Sequence, residues 1–182
     1  MRNNSIFRLV LASLFLCMAY VLPFLTGQIP EFGSMLCPMH IPVILCGFIC
    51  GWKYGLVVGI ISPILRSLTL GMPPLFPMAF SMSFELGSYG FVAGILYNHL
   101  LNRIFKKKEL IIYFSLIISM VVGRIIYGSV MFVLMGFGKL SFSLEMLWIG
   151  TIVESIPGII LQIILIPLIV LIFEKYKKSR IE

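Results

Sequence analysis

Two apolar segments meet at a tight turn that reads Cys46-Gly47-Phe48-Ile49-Cys50-Gly51-Trp52-Lys53-Tyr54-Gly55-Leu56-Val57-Val58-Gly59. Four glycines recur at every fourth position through this turn: Gly47, Gly51, Gly55 and Gly59. Small residues at this spacing let helix backbones approach closely in lipid, where apolar side chains give little drive for association. The pattern therefore predicts two closely packed helices. Their glycine face either packs within the chain or docks another membrane subunit, and the spacing alone favours packing within the chain.

The composition outside this turn indicates a membrane protein. Of the 182 residues, 60% are hydrophobic and 12% are charged, and the mean hydropathy is +1.08. A soluble domain carries about a quarter charged residues, so this chain has too little polar surface to cover a water-soluble globule. A disordered tail, a nucleic-acid-binding domain and a secreted disulfide scaffold are disfavoured for the same reason. We expect a single integral membrane domain over residues 1–182, in contact with the lipid bilayer and with no nucleic acid.

Six segments approach the length of about 20 apolar residues that a helix needs to cross the hydrocarbon core. The sequence thus predicts an all-α membrane protein with six transmembrane helices, over about 8–26, 36–51, 54–70, 78–100, 110–136 and 147–173. The prolines between Gly71 and Pro77 predict a break before the fourth segment, because proline removes a backbone donor and restricts the residue before it. The second and third segments are short, so five spans and a re-entrant hairpin form the alternative.

The basic residues predict the orientation of these spans. Eleven of them fall on one side of a six-span arrangement and only Lys139 falls on the other. Lysine and arginine concentrate in cytoplasmic connections, so we expect both termini in the cytoplasm of a multi-pass plasma-membrane protein. The eleven are Arg2, Arg8, Lys53, Arg103, Lys106, Lys107, Lys108, Lys175, Lys177, Lys178 and Arg180.

The cysteines and the absence of several motifs limit the kinds of metal, nucleotide and catalytic site that the chain can form. Cys46 and Cys50 lie four residues apart in an apolar run, where thiols usually pack as small hydrophobes, and a structural zinc site needs four ligands. We expect no metal and no cofactor. The chain contains no aspartate, no phosphate-binding loop ending in Gly-Lys-Ser/Thr and no metalloprotease or hydrolase motif. It also lacks the doubled construction of many secondary transporters.

Ionisable residues inside the predicted spans mark the candidate site. A charged side chain at a helix centre costs roughly 2.5–3.5 kcal/mol on insertion scales, so these residues should face one another, a polar cavity or a partner. They converge on the predicted outer half of the bundle, with aromatic neighbours, which is typical of a small-molecule site. The expected substrate-binding residues are His40, Arg66, Glu85, Tyr89, Arg124, Tyr127, Trp148 and Glu154. The alternative is two structural ion pairs, for instance Arg66 with Glu85 and Arg124 with Glu154.

The glycine-rich turn, the chain length, the six spans and the lysine-rich 103–108 connection together resemble the substrate-binding S components of energy-coupling factor (ECF) vitamin transporters. The stretch Met39-His40-Ile41-Pro42-Val43 and Arg66 are similar to the pantothenate-type branch of that family. The resemblance implies a binding subunit without catalysis of its own. Its partners would be a small-molecule vitamin, a transmembrane coupling protein and two ATPases.

The resemblance also implies that the first three spans meet the coupling protein. The family often carries Ala-x-x-x-Ala on its first span, whereas Ala12 is followed here by Leu16. The nearest small-x-x-x-small pair is Ser13 and Cys17. The expected docking residues are therefore Ser13, Cys17, Gly47, Gly51, Gly55 and Gly59.

The charges inside the spans bear on the substrate. Arg66 and Arg124 balance Glu85 and Glu154, which favours a neutral or zwitterionic heterocycle such as a pyridoxine-like vitamin. The similarity around His40 favours pantothenate instead, with its carboxylate on Arg124. Two functions of other classes remain as alternatives: a small intramembrane enzyme using His40, Glu85 or Glu154 as acid or base, and a structural membrane subunit.

Overall fold

The computed structural model describes residues 2–25, 38–100, 107–136 and 156–179. Within these ranges the chain is helical and contains no strand, as the composition predicts. The helices are α1 (Arg2–Leu25), α2 (His40–Cys50), α3 (Trp52–Leu70), α4 (Phe80–Ile95), α5 (Lys108–Gly136) and α6 (Ile156–Ser179). One π-helical turn precedes α4 (Leu75–Ala79) and another follows it (Leu96–Leu100).

Five of these helical stretches are long and apolar enough to cross a membrane, and α2 is shorter. The described part of the chain is thus the all-helical membrane protein that the sequence predicts. The 11 residues of α2 rise about 16 Å, roughly half of the hydrocarbon core. The first helix begins at Arg2 and the last continues to Ser179, beyond the predicted ends. The predicted start of the sixth span, at residue 147, lies outside the described residues.

Glycine and proline end the helices where the sequence predicts. Gly51 separates α2 from α3 with a φ of 102°, which a residue with a side chain rarely adopts. Gly71 ends α3 with a φ of 70°, and its amide donates to the carbonyl of Ser67. The backbone at Phe76 is extended. The predicted break between Gly71 and Pro77 is therefore confirmed, although the π-helical turn already starts at Leu75.

α4 is the central helix, because it packs against α2, α3 and α5. α1 packs against α2 and α3 on the other side, while α6 packs against α5 and α2. The outward faces of α1, α5 and α6 carry large exposed apolar side chains, as helices that face lipid should. At the opposite end of the bundle from the start of α4, Lys108 forms an ion pair with Glu174 and joins α5 to α6.

A seam of glycines holds α4 against the α2–α3 hairpin. A methyl group on Gly55 would lie 2.7 Å from the carbonyl oxygen of Gly90, and one on Gly47 would collide with the same oxygen. A methyl group on Gly59 would collide with the backbone of Leu86. Gly47, Gly55 and Gly59 thus pack within the chain, as the first of the two alternatives for the glycine pattern expects.

Candidate functional site

The site is built around the carboxylate of Glu85 in α4. This residue is only 2% exposed, although it is ionisable. Tyr89 follows it by one helical turn, and its hydroxyl donates to Oε1 of Glu85 at 2.9 Å. Residues four apart share a face of a helix, so α4 alone positions this pair.

α5 brings a positive charge to the same oxygen. Nη1 of Arg124 lies 3.1 Å from Oε1 of Glu85, and the arginine side chain keeps 22% of its surface exposed. The approach of α5 depends on Gly123, because a methyl group there would collide with the ring of Tyr89. Further along the helices, the hydroxyl of Ser81 lies 3.2 Å from the sulfur of Met131. The polar face of α4 therefore meets the face of α5 that carries Arg124.

α2 contributes His40, which is its first residue and is 3% exposed. Nε2 of His40 lies 3.7 Å from Oε1 of Glu85, which is too far for a hydrogen bond. The imidazole packs against the ring of Tyr89, with 5.2 Å between the centroids. Neither ring nitrogen has a hydrogen-bond partner among the described residues. Buried polar atoms are nearly always hydrogen-bonded, so this histidine has unused capacity for a polar ligand.

These four residues form what we call the polar cluster: His40, Glu85, Tyr89 and Arg124. The charges of Glu85 and Arg124 cancel, so the cluster carries no net charge when the histidine is neutral. It offers hydrogen-bonding groups from three helices inside an apolar bundle, which is the arrangement of a small-molecule site. No group of three potential metal ligands occurs in the parts of the chain that the structure describes.

Arg66 lies apart from the polar cluster. Its Nε donates to the carbonyl of Met72 at 3.2 Å, and its guanidinium carbon lies 5.6 Å from the centroid of the Phe24 ring in α1. The ion pair of Arg66 with Glu85, part of the structural alternative, is wrong, because Glu85 instead pairs with Arg124 and lies near His40.

The remaining expected site residues are only partly described. Tyr127 lies three residues after Arg124 in α5 and is half-buried. Trp148 and Glu154 fall outside the described residues, and so does the expected pairing of Arg124 with Glu154.

The expected docking residues divide into two groups. Ser13 and Cys17 are exposed on α1. Gly51 forms the turn, and within the described ranges no atom lies within 4 Å of a methyl group built on it. Gly47, Gly55 and Gly59 are buried against α4, which already occupies the space above them.

Sequence reasoning missed the glycines that let the helices around the site pack closely. Gly90 packs against Gly55, and Gly94 packs against the backbone of Trp52. Gly123 makes room for Tyr89. A signal was present for the first two, because Gly87, Gly90 and Gly94 are spaced three and four apart in α4 and mirror the glycines of the hairpin. A single glycine beside Arg124 gives no comparable pattern.

The arrangement described above agrees with a comparison of the whole sequence with protein families. A family model for the substrate-specific component of ECF transporters matches residues 7–170. The chain belongs to this family. It is therefore an S component, a multi-pass plasma-membrane protein that binds a transported substrate and is not an enzyme. S components act with an ECF module that contains a coupling protein and ATPases. No curated protein and no solved structure matches this S component.

Proposed function

We propose that this S component binds a water-soluble vitamin or vitamin precursor at the polar cluster. One observation carries the proposal: a buried histidine, whose ring nitrogens have no hydrogen-bond partner among the described residues, lies beside a carboxylate that an arginine and a tyrosine hold in place. Intramembrane ionisable groups more often mark a pathway or site than a structural pair. Tyr127, Trp148 and Glu154 complete the proposed site, since the sequence assigns them to the same predicted outer half of the bundle.

The charge balance supports a neutral or zwitterionic heterocycle, such as a pyridoxine-like vitamin, over pantothenate. A carboxylate substrate needs a cation that is not already paired, and Arg124 lies 3.1 Å from Glu85. A heterocycle can instead use the nitrogens of His40 as hydrogen-bond donor and acceptor, because a neutral imidazole carries one of each. Its ring can also pack against aromatic side chains.

The energy for uptake would come from partners in this proposal. The coupling protein would dock on α1 at the exposed pair of Ser13 and Cys17, and two ATPases would hydrolyse ATP. The absence of a nucleotide-binding motif from the sequence supports this division of work. Small exposed residues support docking at α1, because they let a partner helix approach closely.

The substitution His40→Phe tests the substrate site. It keeps a ring against Tyr89 and removes both nitrogens. Removing buried polar atoms that have no hydrogen-bond partner in the described part of the chain costs little, so we expect thermal stability to stay equal or rise slightly. Substrate binding should fall by about tenfold or more, as expected when one or two hydrogen bonds are lost. Mass spectrometry identifies the ligand that copurifies with the chain. Calorimetry measures the affinity of the chain for pyridoxine and for pantothenate.

His99 provides the matched control. This exposed histidine lies near the other end of α4, so His99→Phe should leave binding unchanged. If His40→Phe folds and binds the copurifying compound as tightly as the original chain, the cluster is structural and the site lies elsewhere. Chemical conversion of that compound by the purified chain would instead support the intramembrane enzyme.

A further inference from the structure

A groove runs between α1 and α3, on the side of the hairpin away from the polar cluster. Its volume is about 350 Å³. Most of its surface is apolar, although small polar side chains contribute to both walls. The lining residues are Ser13, Leu16, Cys17 and Tyr20 of α1, with Leu65 and Thr69 of α3.

A positive charge stands at one end of this groove. Arg66 lies between the lining residues Leu65 and Thr69 in α3, and its guanidinium packs over Phe24, one turn beyond Tyr20. Nη1 of Arg66 is buried and has no hydrogen-bond partner among the described residues. No described carboxylate forms an ion pair with this arginine. The arginine side chain is only half-buried, so its positive charge can be reached by an anion.

The distance from Ser13 in the groove to Phe24, which contacts Arg66, fits one leaflet of a membrane. From Ser13 to Phe24 the helix advances by 11 residues, which corresponds to about 16 Å. Half of the hydrocarbon core is about 15 Å thick. The surface around the groove is apolar and exposed, with Leu14, Val21 and Leu68 between 45% and 69% accessible. An acyl chain lying in the groove would thus place its headgroup near Arg66.

We propose that this groove is a phospholipid site, with one acyl chain along α1 and α3 and the phosphate on Arg66. Arginine suits this role because its planar guanidinium matches phosphate oxygens. A soluble anion would use the guanidinium and leave the apolar walls exposed. An apolar partner helix would cover the walls but provide no anion for the charge of Arg66. A phospholipid satisfies both parts of the site.

The lipid site overlaps the proposed docking pair, because Ser13 and Cys17 line one wall. Arg66 and Thr69 lie outside that pair and allow the two proposals to be tested separately. Thr69 is exposed, and its hydroxyl donates only within α3 among the described contacts, to the carbonyls of Leu65 and Arg66. A larger side chain at this position should fill the groove without disturbing the fold.

The experiment compares phospholipid retention by purified variants. The full chain is equilibrated with mixed micelles of detergent and palmitoyl-oleoyl phosphatidylglycerol, and native mass spectrometry counts the bound lipids. Arg66→Gln and Thr69→Phe should each lower the occupancy of the tightest lipid by about tenfold, because each removes one half of the site. The control is Lys53→Gln, which removes a cation that also packs over an aromatic ring, at the other end of α3.

Three results would overturn the proposal. The first is unchanged lipid retention in Thr69→Phe, which decides the matter even if Arg66→Gln does not fold. The second is displacement of the lipid by millimolar inorganic phosphate, which would indicate a soluble-anion site. The third is loss of assembly with the ECF module in Thr69→Phe while lipid retention persists, which would assign the groove to a partner helix.

Discussion

α4 presents two faces that stabilise the bundle in opposite ways. The face toward α3 works because side chains are missing, since Gly55 and Gly90 bring the two backbones together. The face toward α5 and the start of α2 works because polar side chains are present and partly satisfy one another around Glu85. The first face has no space for an added atom. On the second face, we expect the loss of one charge of the pair to cost more stability than the loss of both charges together.

The largest effect on folding should come from breaking the buried ion pair. Glu85→Gln removes the carboxylate of this pair, and Arg124→Gln removes its guanidinium. Each single change should lower the free energy of unfolding by about 3–5 kcal/mol. The double variant should recover much of that loss, because both charges of the pair are then absent. Thermal unfolding in detergent, followed by circular dichroism, measures the cycle.

The same cycle separates a structural pair from a substrate site. If the cluster binds substrate, the double variant should regain stability without regaining affinity. A double variant that regains both would show that the pair only stabilises the bundle. If the double variant loses as much stability as the two single variants combined, Glu85 and Arg124 do not interact.

A smaller loss of stability should follow from adding one methyl group to the glycine seam. Gly59→Ala places Cβ against the backbone of Leu86, so the helices must separate. Overpacking of this kind typically costs about 1–3 kcal/mol. The matched control is Gly128→Ala in α5, where no atom of the described residues lies within 4 Å of the added methyl group. Equal melting temperatures for the two variants would contradict the close approach of α3 and α4.

The smallest effect on folding is expected on α1, outside both faces of α4. Ser13→Leu changes an exposed position, and such substitutions usually alter stability by less than about 0.5 kcal/mol. Its effect should appear in assembly, because a bulky residue keeps a partner helix away. Pull-down of a coexpressed coupling protein and ATPases should yield less complex than with the original chain. Leu14→Ala, at a neighbouring exposed position, serves as the control.

Replacing Gly55 cannot serve as a clean docking test, although the sequence pattern suggests it. The space above Gly55 belongs to Gly90, so a larger residue there would disturb the fold before it disturbed a partner. Periodicity shows that glycines recur at every fourth position, but it does not show that Gly51 forms the turn or what covers the other three. This choice between internal packing and docking depended on the position of α4, a helix that is distant in sequence.

The fold was predictable to the extent that it depends on local chemistry. Apolar length gave the spans, and Gly51 and Gly71 gave two of the turns, because these features act within a few residues. The meeting of His40, Glu85 and Arg124 depends on tertiary packing. Sequence arguments placed these residues at one end of the bundle, yet they could not choose between Arg66 and Arg124 as the partner of Glu85. The orientation of α5, which Gly123 permits, places Arg124 beside Glu85.

The short second helix has a consequence for the distance that a transported solute must travel. α2 rises only about 16 Å, and His40 is its first residue. With Cys50 at the predicted cytoplasmic surface, a solute held at His40 already sits near the midplane of a core about 30 Å thick. A solute that diffuses to this position from outside would then already have crossed about half of the hydrocarbon core. If partner ATPases drive uptake as proposed, their step would have to open only the remaining half, on the cytoplasmic side of the imidazole.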